Sequence, residues 1–485
     1  MRRFLRYFAI AILVLLGIMF GKSFFAQSGQ LKIHWQGKPT EDFEAVQHLS
    51  QSIQFASVSY DNEEGKIKRN KALFELRKWM QKTYPFCFKN ANLDTLSGGS
   101  MVLYFKGTNS KSEPILMLAH LDVVPADSAD LKYWKFPPFS GKIDHDTIYG
   151  RGALDDKVIA ISMLEAMEKI LISGKLPSRN VIFAFGQDEE TGGKEGAHQI
   201  AALLKRKNIH AAFIMDEGLG VTEGIVPGIA KPTALIGIAE KGYASIKLTV
   251  KMDGGHSSMP KKENAASVLT SALNKIDKHR FDEKFPLPLQ EFLSQGASEM
   301  SFGYKFLFSN MWITSPLVKM VMRGNEKTLA SISTTHATTL IQAGVKDNVI
   351  PNLATATVNF RILSGETVGG TLQEAKDAVK DARVLFEVLE GFNDPSMVSP
   401  INGAAWQTIR TAIHETFKNV VTLPGQVLAG TDCKHYTQIS THIYRFTPLR
   451  LNNNNTGGIH GINERIAVNN YMECIAFYRN LFEKP

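Results

Sequence analysis

Cysteine is scarce in this chain, with three in 485 residues. Cys87, Cys433 and Cys474 lie too far apart to suggest a disulfide framework or a cysteine-based metal site. Long runs of one charge sign are missing as well. There are 55 basic and 47 acidic residues, a formal net charge of +8. The excess is scattered, and its longest basic run is Lys205, Arg206 and Lys207. That pattern describes solvated helix faces and argues against nucleic acid as a partner. No internal repeat is evident, and the four asparagines at 452–455 read as a loop. With 44% hydrophobic and 21% charged residues, the remainder suits a globular protein of two or three domains.

The N-terminus carries an address. Arg2, Arg3 and Arg6 precede an apolar stretch from Tyr7 to Gly21, followed by Lys22. Fifteen apolar residues suit a signal-peptide core, whereas a spanning helix needs about 20. Phe4, Leu5, Phe24 and Phe25 extend the stretch if Arg6 and Lys22 snorkel to the interfaces. The bulky residue at position −3 of FFA before Gln27 makes a poor cleavage site. Residues 1–30 are therefore read as a signal peptide or signal anchor, with the uncleaved anchor preferred. In either case the arginines stay cytoplasmic and the folded part lies outside, membrane-anchored or secreted.

Hydrophobic patterning divides the rest. Residues 31–241 alternate helical and strand-like stretches, such as FEAVQHLSQSIQF, PILMLAHLD, VIAISMLEAMEKIL and NVIFAFG. Such alternation predicts an α/β fold, a mostly parallel sheet flanked by helices. Residues 242–393 change character: GYASIKLTVKM, NAASVLTSALNKI, TTHATTLIQAG, ATATVNFRIL, TLQEAKDAVKD and RVLFEVLEG give the order strand, helix, strand, strand, helix, strand. That order predicts an inserted ferredoxin-like α+β lid or dimerisation domain. Residues 394–485 return to the layer formed by residues 31–241.

Six titratable side chains stand in order along the chain, in settings suited to a pair of zinc ions: His120, Asp155, Glu189, Glu190, Asp216 and His460. His120 and Asp122 end PILMLAHLD, which reads as a buried strand bounded by Pro125. Residues two apart on a strand share a side, so Asp122 reaches the His120 imidazole and fixes its orientation. Asp155 sits in the Gly-rich turn YGRGALDDK, and Glu189 and Glu190 follow NVIFAFGQD. Asp216 ends the run HAAFIMD, and His460 lies in GIHGINE. Four of these positions fall at or just past strand ends, where active sites gather in open α/β sheets. Asp155, Glu190 and Asp216 together bring about three negative charges, against about four positive charges on two zinc ions. Any one triplet alone is an ordinary solvated loop or helix cap; the ordered set carries the reading.

The string HLDVVPA, PPFSG, IYGRGALDDK, DEETGG, GHSSMP, GVKDNVIPNLATATVNFRI, GTDCKHY and IHGINE resembles the dinuclear zinc carboxypeptidase and aminoacylase family. It is most similar to the branch holding carboxypeptidase S and the N-fatty-acyl-amino-acid synthase/hydrolases, over roughly residues 43–480. The resemblance implies that Asp155 bridges two Zn2+, with Co2+ or Mn2+ as alternatives. His120 and Asp216 would complete one ion's set, and Glu190 and His460 the other's. It implies Asp122 and Glu189 as catalytic residues, with Glu189 as general base, and a cis peptide at Asp155–Asp156. His256 would steady the oxyanion, often from across a dimer. Arg361 would grip a substrate carboxylate through its planar fork, with Asn348, Gly430 and Thr431 as neighbouring contacts. Cys433 stands where relatives commonly carry serine, which departs from the pattern of that pocket.

The implied substrate is a small N-acyl amino acid or a short peptide with a free carboxylate. Both a fatty-acyl-amino-acid hydrolase and a carboxypeptidase S-like dipeptidase fit. A membrane-tethered binding protein without catalysis is the rival from another class, and the presence of all five ligands and Glu189 weighs against it. A homodimer through the lid is also expected. The segment 281–330, rich in aromatic and aliphatic residues, reads first as helix packing within the lid; an acyl-chain slot and a membrane contact are the alternatives.

Overall fold

A computed structural model describes residues 1–60 and 62–484. Its largest element is an eight-stranded sheet in the order Ala91–Thr95, Met101–Phe105, Val181–Gly186, Ile115–His120, Phe213–Thr222, Ile443–Leu451, Thr233–Glu240 and Val421–Val427. The four middle strands run parallel, and antiparallel pairs close the Ala91 side. Every residue of Ile115–His120 and Val181–Gly186 is buried. That explains why their sequences are unbroken apolar runs rather than alternating ones. Helix Lys157–Ile172 is likewise buried almost all round. It is sandwiched between helix Val468–Phe482 and the sheet, so it needs no polar face.

The chain leaves this sheet at Glu240 and enters a second one at Gly242. The second sheet has four antiparallel strands in the order Thr335–Ala343, Leu353–Ile362, Gly242–Lys251 and Val384–Val388. Its buried alternate residues pack with helices Ala265–Lys278 and Val368–Val379 into a core separate from that of the large sheet. The outer strand Thr335–Ala343 is largely exposed, with Leu340 and Ile341 at 61% and 62%.

The segment from Leu287 to Met300 packs on the large sheet instead of the four-stranded one. Helix Leu287–Gly296 packs on the edge strand Val421–Val427 of the large sheet. A small core of Val226, Ile229, Met300, Val421 and Leu423 seals this contact. Apolar patterning marks this segment but does not say which neighbour it covers.

Residues 2–24 form one helix of 23 residues, long and apolar enough to cross a membrane. The stretch after it is laced to the strand Val421–Val427 and the helix Ala404–Thr416. Thr422 N–H donates to the Gln30 side chain at 2.7 Å, Arg410 donates to the Gly29 carbonyl at 2.7 Å, and Trp35 Nε1 donates to the Thr416 carbonyl at 3.0 Å.

Candidate metal centre

The large sheet delivers the side chains to one end of its parallel strands. His120 is the last residue of its strand. Its Nδ1 lies 3.0 Å from the backbone carbonyl of Asp122 and 3.4 Å from that residue's carboxylate. A carbonyl can only accept, so Nδ1 carries a proton, and Nε2, turned towards Asp155, is the nitrogen open to a metal. Asp122 thus orients His120 chiefly through its main chain. Its carboxylate instead accepts from Ser59 Oγ at 2.5 Å and from the N–H groups of Glu189 and Glu190 at 3.2 and 3.3 Å. In this way it clamps the turn bearing both glutamates to the end of the histidine strand.

Asp155 stands between the two histidines. One of its carboxylate oxygens is 3.0 Å from His120 Nε2, and the other is 3.1 Å from His460 Nε2. His460 Nε2 also lies 3.3 Å from Glu190. Burial alone would raise the Asp155 pKa, but the two imidazoles outweigh it and hold the carboxyl well below its usual range. His460 is pushed up to about 10 by Asp155 and Glu190. Glu189 moves the other way: burial, together with the charges of Glu190, Asp122 and Asp155, raises it to about 8. The Asp155–Asp156 peptide is cis.

The fourth acidic position differs from the sequence reading. Asp216 accepts from the Cys433 N–H at 3.0 Å and from the Glu217 N–H at 3.0 Å. Its neighbour Glu217 comes within 3.7 Å of His120 Nε2. The strand is irregular here, its register against Ile443–Leu451 jumping from Asp216 to Leu219. Asp216 braces the loop at 431–433, and Glu217 is the acid that lies nearer His120.

Two sets of ligand atoms gather closely: His120, Asp155 and Glu190, and His120, Asp156 and Glu217, each with all atoms within 4.8 Å. Asp156 is anchored behind the site, accepting the His120 N–H at 3.2 Å. One carboxylate oxygen of Glu190 is buried without a hydrogen-bond partner. Imidazole Nε2 atoms and carboxylate oxygens, with one oxygen each of Glu190 and Asp156 lacking a partner, form a donor set that a divalent cation fits.

Glu464 belongs to the IHGINE motif, yet its sequence setting does not single it out. It is fully buried. One of its oxygens accepts the N–H groups of Gly152, Leu154 and Asp155 at 3.0, 2.8 and 3.2 Å, and the other accepts from Arg151 at 2.7 Å. It shapes the loop that presents Asp155. Asp432 presses in from the opposite side, and a Cβ on Gly193 would stand 2.2 Å from its carboxylate. That close approach is one reason for the glycine in DEETGG.

The remaining candidates lie outside this cluster. His256 is exposed and held by Ser258 Oγ at 2.7 Å, in a two-residue strand paired with Val349–Ile350. Asn348 lies beside it, with its carbonyl accepting the Ser257 N–H at 3.3 Å. Arg361 sits at the far end of strand Leu353–Ile362, opposite Tyr243, with its guanidinium 4.9 Å from the Tyr243 ring centre. Eight residues of extended strand from Leu353 to Arg361 span roughly 26 Å, so Arg361 and the His256–Asn348 pair stand far apart in one chain. Gly430 is exposed. Thr431 is buried and donates to Glu240 at 2.8 Å, which occupies its hydroxyl.

Comparison with known proteins matches this arrangement. Residues 116–484 match the family described as Peptidase family M20/M25/M40. The N-fatty-acyl-amino acid synthase/hydrolase PM20D1 of Mus musculus is 36% identical over 455 residues, covering 93% of this chain and 89% of the mouse protein. The probable carboxypeptidase S-like 2 of Dictyostelium discoideum is 35% identical over 91% of this chain and 85% of its own length. Among solved structures, the M20 family metallo-carboxypeptidase Sso-CP2 from Sulfolobus solfataricus superposes with a TM-score of 0.65 at 20% identity, over 91% of this chain and 99% of that one. Human carnosine dipeptidase 1 gives 0.61 at 17%, over 91% and 96%. Parallel sheet, converging acids and imidazoles, and sequence agree: the chain belongs to the M20/M25/M40 peptidase family, whose relatives hydrolyse carbon–nitrogen bonds.

Proposed function

We propose that this protein is a zinc-dependent amidohydrolase that cleaves the amide bond of N-acyl amino acids bearing a free carboxylate. The observation that carries this reading is the placement of both histidine Nε2 atoms on the two oxygens of a single carboxylate, Asp155. His120, Asp155 and Glu217 would hold one ion, and Asp155, Glu190 and His460 the other, with Co2+ or Mn2+ as substitutes for zinc. When bound, such ions supply Lewis acidity to the amide carbonyl and to the attacking water. Glu189 takes a proton from that water and delivers it to the leaving nitrogen. A buried carboxyl with a raised pKa suits a group that must both accept and release a proton. Arg361 pairs with the substrate carboxylate through two parallel hydrogen bonds.

His256 and Asn348 serve a neighbouring copy. Their distance from Arg361 along the strand supports this, as does the exposed edge Thr335–Ala343, which offers unpaired backbone groups to a second chain. The helix Arg2–Phe24 acts as an uncleaved anchor that leaves the catalytic layer outside the cytoplasm.

The acyl group is a fatty acid in this reading, supported by the names of the relatives at 34–37% identity. A dipeptidase of the carboxypeptidase S kind is the second reading, because relatives with that name are 28–35% identical. Parallel assays of N-oleoyl-Phe and Gly-Leu, with Glu189→Gln as the blank, separate the two. A higher kcat/KM for N-oleoyl-Phe is expected. Preference for Gly-Leu would move the assignment to the dipeptidase. No turnover above the blank on a broad amide panel would favour a tethered binding protein.

A further inference from the structure

Helix Met311–Met322 is amphipathic in the reverse sense. Thr314 and Val318 face the protein, whereas Trp312, Ile313, Pro316, Leu317, Met320 and Val321 are exposed. Their spacing of i, i+1, i+4, i+5, i+8 and i+9 puts them on one continuous face. An apolar stripe turned outward on a helix needs a cover.

The contacts of this helix indicate the cover. Asn310, at its N-terminus, donates to the Met19 carbonyl at 3.1 Å and to Ser23 Oγ at 3.0 Å. On the preceding helix, Phe302–Ser309, Lys305 donates to the Ala26 carbonyl at 3.1 Å, and the ring centres of Phe302 and Phe306 lie 5.9 and 5.0 Å from that of Phe20. The helix bearing the stripe therefore begins level with residues 19–23, the outer end of the apolar helix. A helix of 23 residues spans about 34 Å, and a hydrocarbon layer is about 30 Å thick, so residues 19–23 fall at its outer interface. A groove of about 930 Å³, lined by Lys22, Phe25, Phe308, Met311 and Trp312 among others, opens at the same junction. The bonds from Gly29, Gln30 and Trp35 to the catalytic layer keep the body from swinging away.

We infer that helix Met311–Met322 lies in the outer membrane interface beside the anchor, so that the catalytic layer rests on the bilayer and receives amphiphilic acyl substrates from it. This rests on the anchor and fatty-acyl readings above. Tryptophan at the start of the stripe suits such a position.

The full chain, reconstituted into phosphatidylcholine vesicles with brominated acyl chains, tests the inference through tryptophan quenching. Trp312 is one of five tryptophans. Bromolipid is expected to remove a measurable share of the emission, and that share is expected to vanish in Trp312→Phe. Ile313→Asp with Leu317→Asp, both at exposed sites, is expected to lower the quenching too. The same pair should cut turnover of bilayer-dissolved N-oleoyl-Phe several-fold while sparing a water-soluble N-acetyl amino acid. Equal quenching of wild type and Trp312→Phe, in protein that resists carbonate extraction, would overturn the inference and leave the anchor standing. Release of the full chain by carbonate would overturn both. Equal loss on the two substrates would refute delivery from the bilayer, and preference for Gly-Leu would instead count against the fatty-acyl reading.

Discussion

Glu464 gives the most direct test of how the metal loop is held. Its carboxylate satisfies three main-chain N–H groups of residues 152–155 and pairs with Arg151, whose side chain is also buried. Glu464→Ala strands that guanidinium and leaves three donors without an acceptor. Breaking a buried ion pair by removing one partner costs about 3–5 kcal/mol. Glu464→Gln keeps an amide oxygen for the three N–H groups but turns an NH2 donor towards Arg151, so that bond is lost. Loss of one hydrogen bond to a charged group costs about 1.5–3 kcal/mol. Denaturant midpoints, followed by tryptophan emission, should therefore fall in the order wild type, Gln, Ala. Bound metal should fall in the same order, because the Asp155 N–H is one of the three donors. Double substitution with Arg151→Gln should be less than additive. Equal, small shifts for both variants with full metal content would refute the assignment of Glu464 as the brace of this loop.

Other outcomes follow from the same geometry. Glu217→Ala should lower the metal content by about one ion per chain, whereas Asp216→Asn should retain both ions and loosen the 431–433 loop; metal analysis of the two purified variants distinguishes them. Glu189→Gln should keep its metal and lose roughly 10²–10⁴-fold in kcat, the usual scale of general-base catalysis. His414 is buried and held down to about 4 by desolvation, aided by Arg410. Its unfolded value near 6.5 lies higher, so the unfolded state binds the extra proton between those values. Stability should thus be retained above pH 6.5 and fall as the pH drops towards 4, by up to about 1.4 kcal/mol per unit, and His414→Gln should flatten that slope in a denaturation series. Gly193→Ala should impair activity or folding, because its φ is +71° and Asp432 occupies the space.

The central strands are legible in the sequence because buried parallel strands are written as unbroken apolar runs, as in Ile115–His120 and Val181–Gly186. The site residues His120, Asp155, Glu190 and His460 can be read because each follows such a run or sits among glycines, and the structure brings all four together. The choice between Asp216 and Glu217 is not readable. Both are acids at an irregular point of one strand, and only the folded chain, with the Cys433 N–H on Asp216, decides which faces His120. Glu464 escapes notice because a lone glutamate after a turn looks solvated, and its burial is set by residues some 310 positions earlier. Helices within 287–300 are legible as helices but not as part of the large sheet's edge, since an apolar face does not name its partner.

His460 and Glu464 arrive some 340 residues after His120, on the far side of an independent core. A nascent chain therefore emerges with a half-built cage: three carboxylate-bearing turns and one imidazole, but neither the second imidazole nor the brace beneath Asp155. The cluster around Asp155 therefore closes only once nearly the whole polypeptide is present. Any truncation ahead of residue 460 removes both that imidazole and the brace of the loop, whatever the rest of the fold retains.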